Sequence, residues 1–294
     1  MNKTHLELQL RLIRRAYRRT RQVIRFHSLE NSPIFFANSF PKSGTHLLTQ
    51  VMQGLSQIGP AVNSGLLSVT TFDGFTGRQR SETEVMTDLN RFLPGDIGYG
   101  HVHAFRAATY LLNQDNFATY FILRDPRDVV VSHVYYVAAM ASNHVHHRYY
   151  HEILNTFDER LSASIAGVPT QELQKAAGSK PVYLPLPDIR SRFDPFMEWL
   201  DQPNILILRY ENMMINRRET LNLVLEHAVR HGFFPACSTD QALDRLASSI
   251  DPRLSPTFRS GKIGGWRQTF NDDHNQLFSR ITGDLLKRLG YENS

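Results

Sequence analysis

The run from Phe40 to His46, Phe-Pro-Lys-Ser-Gly-Thr-His, joins a glycine, a lysine and two hydroxyl residues between an apolar stretch and a helical one. Those residue types suit an anion. A glycine lets the backbone approach and wrap a charged group. The helix that follows aims free N–H groups and its positive end at that group. Lys42 adds a mobile charge, and Ser43 and Thr45 add hydroxyl donors. The nucleotide-hydrolase loop has glycine, four residues, then Gly-Lys-Ser/Thr. Here the lysine precedes Gly44 and the loop is shorter, so it fits a smaller group than a triphosphate.

Three further clusters carry chemistry. Arg124 follows the apolar stretch 118–123, and Ser132 lies eight residues on. Strand ends of open α/β sheets bind ligands, so the arginine could grip a second phosphate by a forked contact and the serine by its hydroxyl. The alternative is that Arg124 pairs with Asp128 to steady a helix start. Arg259-Ser260-Gly261-Lys262-Ile263-Gly264-Gly265-Trp266 sets two cations and three glycines beside a tryptophan, as in a loop folding over a nucleotide. Gly100-His101-Val102-His103 closes a short strand whose alternation sends both histidines to one face. Either has the pKa of a general base at neutral pH. His144, His146, His147 and His151 read as a polar, partly exposed face, and no Cys/His spacing matches a zinc site.

The elements needed to position these groups are legible. Ile34-Phe35-Phe36-Ala37 predicts a buried strand feeding the loop, and Thr45–Leu55 a helix. Ile97–His101, Ala118–Leu123 and Asn204–Leu208 predict further strands. Asp125 and Pro126 suit the cap and first position of a helix over 126–140. Residues 56–96 read as loops with a short helix, and 141–190 as an irregular insertion or lid. Helices are expected at 194–200, 217–230, 237–249 and 274–289. Strands alternating with helices imply a single α/β domain over 31–294, with a central parallel sheet flanked by helices and a modified phosphate loop.

Residues 1–30 stand apart. Seven arginines lie between Arg11 and Arg25, interleaved with Leu12, Ile13, Tyr17, Val23 and Ile24. This basic amphipathic helix either touches an anionic lipid surface or packs beside the domain. The chain's 294 residues, 41% hydrophobic and 21% charged, describe a globular protein, and a net charge of +5 favours anionic partners. One cysteine, Cys237, allows no internal disulfide and suggests a reducing compartment. With no apolar run long enough to span a bilayer and no signal-peptide core, a cytoplasmic, membrane-peripheral location is expected.

Together these motifs resemble the sulfotransferases that use 3′-phosphoadenosine 5′-phosphosulfate (PAPS). Pro41 to Thr45 is similar to the family's 5′-phosphosulfate loop and Arg124 to Ser132 to its 3′-phosphate motif. Arg259-Ser260-Gly261 with Gly264 and Trp266 is similar to its C-terminal signature, and Tyr210-Glu211-Asn212 to a segment whose tyrosine lies near the adenine. The resemblance implies that Lys42, Ser43, Gly44, Thr45 and His46 hold the phosphosulfate. It implies that Arg124, Ser132, Arg259, Ser260 and Gly261 hold the 3′-phosphate, and that Tyr210 lies beside the base. Aligned on the family's histidine segment, His101 becomes the general base, Tyr99 stands where cytosolic members have lysine, and Lys42 steadies the leaving phosphate. His46 and Leu47 replace the usual Thr-Trp, Ser260 a lysine and Gly265 an aspartate. The implied reaction is in-line transfer of a sulfuryl group from PAPS, without metal or nucleic acid, to a hydroxyl or amine of a small-molecule, lipid or glycan acceptor. A metal-dependent small-molecule kinase and a non-catalytic anion-binding protein are the alternatives.

Overall fold

The structure is a computed structural model that describes residues 3–73, 77–178, 185–255 and 261–292, with the backbone alone for 3–6. In chain order its elements are α1 (Lys3–Phe26), β1 (Ile34–Ser39), α2 (Thr45–Ile58), β2 (Val62–Asn63), β3 (Val69–Thr70), α3 (Glu82–Leu89), β4 (Asp96–His101) and α4 (Arg106–Leu112). Next come β5 (Phe117–Leu123), α5 (Pro126–Tyr135), α6 (Phe157–Ala166), α7 (Thr170–Ala177), α8 (Ile189–Phe193) and β6 (Ile205–Arg209). The chain closes with α9 (Tyr210–Ile215), α10 (Arg217–Arg230), α11 (Thr239–Ser248), α12 (Asp272–Thr282) and α13 (Leu285–Arg288).

The chain groups into two compact units. The first comprises Met1–Thr71, Ser81–Leu123 and Glu198–Pro256, and the second Phe72–Arg80, Arg124–Met197 and Thr257–Ser294. The first holds the whole sheet, in the order β2-β4-β1-β5-β6 with β3 also pairing β4, and every pairing is parallel. All residues of β1 and β5 are buried, as strands covered on both faces must be. Phe35, Ala37 and Tyr120 pack with Leu48, Val51, Met52 and Leu55 of α2 and with residues of α10 and α11. This is the α/β class with a central parallel sheet flanked by helices.

In the second unit α6 is tied to α5 and to α12. Ser164 Oγ donates to the Val130 carbonyl at 3.2 Å, and His274 Nε2 lies 3.2 Å from the Asp158 carbonyl. The segment read as an irregular insertion is therefore partly helical. Thr156 and Glu159 form a capping box that starts α6, a signal the hydrophobic pattern had overshadowed. The helix expected over 126–140 stops as an α-helix at Tyr135 and continues as a π turn, Tyr136–Met140. The terminal helix is broken at Gly283, whose φ of 53 ends α12 before α13 begins. Residues 56–96 hold two short strands besides the expected helix.

α1 turns its basic face inward. Arg15 and Arg19 both pair with Asp96, which is fully buried at the start of β4. Arg11 donates to the Gly65 carbonyl at 3.1 Å and Arg18 to that of Asn63 at 3.2 Å. Gln22 donates to the Ser56 and Ala61 carbonyls, both at 2.8 Å.

Candidate active site

The loop after β1 is held in a conformation that few side chains accept. Lys42 has φ 68 and Gly44 φ 102, both in the left-handed region. A methyl group on Gly44 would lie 2.7 Å from Tyr210 Cδ2, so glycine is required on two counts. Tyr210, at the start of α9, is buried and packs its ring beneath the loop. The loop turns through the Ser43 N–H, which donates to the Phe40 carbonyl at 3.2 Å.

α2 then begins with no side-chain cap, whereas α3, α6, α11 and α12 each carry a capping box. The N–H groups of Thr45, His46 and Leu47 have no acceptor within a helix that starts here. Ser43 is fully buried and its Oγ has no hydrogen-bond partner. A buried hydroxyl left unmatched costs about 1–3 kcal/mol, and an anion at the helix start would satisfy it together with the free amides. The residues therefore fit a phosphosulfate group.

His101, last in β4, is joined to this loop through Ser39. Its Nδ1 lies 2.9 Å from the Ser39 carbonyl and 3.1 Å from Ser39 Oγ, and the same Oγ is 2.8 Å from Thr45 Oγ1. A carbonyl only accepts, so Nδ1 carries the proton and Nε2 keeps its lone pair. Burial, and then the charges of His46 and Lys42, lower the His101 pKa below its usual value; the Ser39 carbonyl opposes them. Desolvation and then Lys42 lower that of His46. The neutral, basic form of His101 is thus the resting one.

The strand end is fixed independently. Asn38 Nδ2 donates to the Val102 carbonyl at 3.0 Å, and its Oδ1 accepts from the Val102 N–H at 2.9 Å. Trp199 Nε1 donates to the same carbonyl at 2.8 Å. At Gly100 a Cβ would stand 2.1 Å from the Val69 carbonyl oxygen, so only glycine lets β3 lie this close. His103 donates its backbone N–H to Thr71 Oγ1 at 3.1 Å, and burial pushes its side-chain pKa down to about 4.

The second unit holds the other predicted anchors. Asp125 caps α5 and Pro126 opens it, as the sequence led us to expect. Arg124 Nη2 lies 3.3 Å from Asp128 Oδ2 and donates to the Lys262 carbonyl at 2.7 Å. Asp128 also accepts the N–H groups of Gly264 at 2.9 Å and Trp266 at 3.0 Å. The Arg124–Asp128 pair read as an alternative is thus present, within a network that ties the glycine-rich loop to the start of α5. Arg127 forms a two-pronged pair with Asp125, at 2.9 and 2.6 Å, and sits 4.0 Å from the centre of the Trp266 ring. Ser132 is half-buried on α5, and Gly261 has φ 64. Arg259 and Ser260 lie outside the described residues.

Ser39, Asn38, Asp128 and Arg127 were not singled out as site residues from the sequence. Only Asp128 had a signal, its spacing from Arg124. The histidines after α5 pack as rings: His144 and His146 are 5.1 Å apart, and His147 stacks on His151 at 5.2 Å. Among the described residues no three His, Cys, Asp or Glu side chains come together in a way that could hold a metal ion.

Residues 112–290 match the family model for the sulfotransferase domain. The chain belongs to the sulfotransferase family. The matched span carries Arg124, Ser132, Tyr210 and Gly261 but begins after Lys42 and His101. Among solved structures, a mouse sulfotransferase in complex with PAP is similar at a TM-score of 0.55 and 16% identity, covering 95% of this chain and 90% of that one. Retinol dehydratase with androsterone and the inactive cofactor PAP is similar at a TM-score of 0.53 and 15% identity, covering 88% and 83%. The same protein with retinol and PAP gives 0.52 and 15%, covering 88% and 84%. A search of curated protein sequences returned no match. A family member of this fold is a transferase of sulfuryl groups, which sets aside the kinase and the non-catalytic anion binder.

Proposed function

We propose that this sulfotransferase draws its sulfuryl group from PAPS and passes it to the hydroxyl of a small-molecule acceptor, with His101 as general base. The observation that carries this reading is the chain of contacts from His101 through Ser39 to Thr45. It ties the His101 ring to the start of α2, a helix with no side-chain cap, which supports a base next to an anion site. PAPS, when bound, supplies a sulfur–oxygen bond to phosphate that breaks as a new one forms to the acceptor oxygen.

The chain's own residues have separate parts. The amides at the start of α2, Ser43 Oγ and Thr45 would hold the 5′-phosphosulfate. Lys42 would offset the charge that grows on the leaving phosphate oxygen, and His46 lines the same helix turn. Nε2 of His101 would take the acceptor proton. Such a base is typically worth about 10²–10⁴ in rate. Arg124, Ser132, Arg259, Ser260 and Gly261 would hold the 3′-phosphate. Tyr210 acts on the nucleotide through the loop it supports as well as beside the adenine.

Retinol and androsterone, bound by retinol dehydratase, are both lipophilic alcohols. That supports a hydroxyl acceptor, of small-molecule or lipid kind, ahead of an amine or a glycan. We assign residues 31–294 to the catalytic domain and 1–30 to a basic amphipathic N-terminal helix, and place the protein in a reducing, cytoplasmic compartment at a membrane's edge. His101→Ala is expected to lower kcat by about 10²–10⁴ while adenosine 3′,5′-bisphosphate still raises the melting temperature. Full turnover in that variant would remove His101 from the mechanism.

A further inference from the structure

Amphipathic surface helices bury their apolar side and offer the polar side to water. α1 does the reverse. Its inward face is Arg11, Arg15, Arg19 and Gln22, stitched to β4 and to the carbonyls around β2. Its outward face carries Leu10, Ile13, Tyr17 and Ile24, exposed by 45%, 65%, 65% and 75%. Their spacing of three, four and seven residues sets them in one stripe, about 21 Å long at the helical rise. On a helical wheel that stripe lies opposite the docked arginines. Contiguous apolar surface of this kind marks an interaction site.

The edge of the stripe names the occupant. Arg14 and Arg21 are exposed along one side of it, and the Arg21 guanidinium is 6.0 Å from the Tyr17 ring; Arg25, on the same side, donates to the Gln57 carbonyl at 3.0 Å. Glu7 is the only acid in α1, and Arg11 already holds it at 2.8 Å. A second copy meeting this face symmetrically would bring arginine to arginine with no acid of α1 to relieve them. An anionic bilayer offers both an apolar layer for the stripe and negative headgroups for its rim. Among the described residues no helix is long and apolar enough to cross a membrane, so such a helix would lie in the interface plane.

We propose that the outward face of α1 is a docking surface for an anionic lipid membrane, lying flat with Leu10, Ile13, Tyr17 and Ile24 in the acyl boundary. This differs from contact through the arginine run as a whole. Five of the seven arginines, Arg11, Arg15, Arg18, Arg19 and Arg25, already bond the protein's own groups. The apolar side chains supply the grip, and Arg14 and Arg21 the preference for negative charge. The surface is independent of the transfer chemistry, and its test needs no turnover.

The test is flotation of the full chain with vesicles of phosphatidylcholine alone and of phosphatidylcholine with an equal part of phosphatidylglycerol. Binding is expected to the anionic vesicles and to weaken with salt. The double variant Ile13→Glu, Ile24→Glu should lower partitioning by on the order of tenfold or more. Arg14→Gln and Arg21→Gln should each lower it by about fivefold. All of these side chains are exposed, so the melting temperature should stay at the wild-type value, which separates lost docking from lost folding. A Tyr17→Trp variant should blue-shift its emission when anionic vesicles are added. Absence of binding to anionic vesicles overturns the proposal, as does binding that the Ile13/Ile24 variant leaves intact. So does a dimer in sedimentation velocity that this variant dissolves, which would make the stripe a self-association face.

Discussion

The loop after β1 and the turn after β5 each follow a wholly buried strand and each open a helix, and both were read as anion sites. The first is made of backbone. Lys42 and Gly44 hold positive φ, α2 begins without a cap, and Ser43 Oγ is buried without a partner. The second is made of side chains that already have partners. Arg124 touches Asp128 and the Lys262 carbonyl, and Asp128 gathers the Gly264 and Trp266 amides. The loop is shaped before any ligand arrives and leaves Ser43 Oγ and the first amides of α2 to meet one, the kind of preorganised donor set that suits a developing charge. The turn is a network in which a phosphate would share the arginine with existing acceptors. It is suited to affinity and to tethering the glycine-rich loop rather than to chemistry.

That contrast can be broken by separating turnover from binding. Lys42→Met should lower kcat on the order of 10²–10³-fold, with a much smaller change in the dissociation constant of adenosine 3′,5′-bisphosphate measured by calorimetry. Arg124→Ala should do the opposite. Losing a charge-assisted contact should weaken that nucleotide about tenfold to hundredfold while kcat at saturating donor changes little. Its preference for PAPS over adenosine 5′-phosphosulfate, which lacks the 3′-phosphate, should shrink by a similar factor. If both variants lose turnover and affinity together, the two regions do not divide the work. Asp128→Asn keeps one acceptor oxygen and removes the charge. About fivefold weaker nucleotide binding and faster tryptic cleavage after Lys262 and Arg267 are expected.

The smallest effect is in pH. Burial and the positive neighbours His46 and Lys42 favour the neutral form of His101, so its pKa falls below 6.5. A base must be neutral to act, so kcat/KM should be level through neutral pH and fall on the acid side with a midpoint below 6.5. Lys42→Met should move that midpoint upward, since a cation no longer opposes protonation. An acid limb centred above 6.5 in the wild type would assign the base elsewhere.

Much of the loop was legible because its demands are local. A glycine before a helix, a lysine and hydroxyls beside it, and an apolar run ahead of it are set by neighbours in the chain. The same holds for Asp125 and Pro126 at the start of α5. The helices in 141–190 went unread because α6 rests on a capping box, and polar residues obscured its short apolar face. The roles of Ser39 and Asn38 could not be read at all. Each acts on a segment more than sixty residues away, at His101 and Val102.

By itself the sequence determined the α/β alternation and singled out the loop after β1 and the candidate bases, since these follow from propensity, periodicity and short-range spacing. Only the tertiary structure decided which ring nitrogen of His101 keeps its lone pair, because that depends on a carbonyl brought alongside by parallel pairing of β1 with β4. It also decided which way α1 faces. Seven arginines on an amphipathic helix suggest a basic outer surface, but a buried carboxylate at Asp96 outbids solvent for two of them and turns the apolar side to the outside.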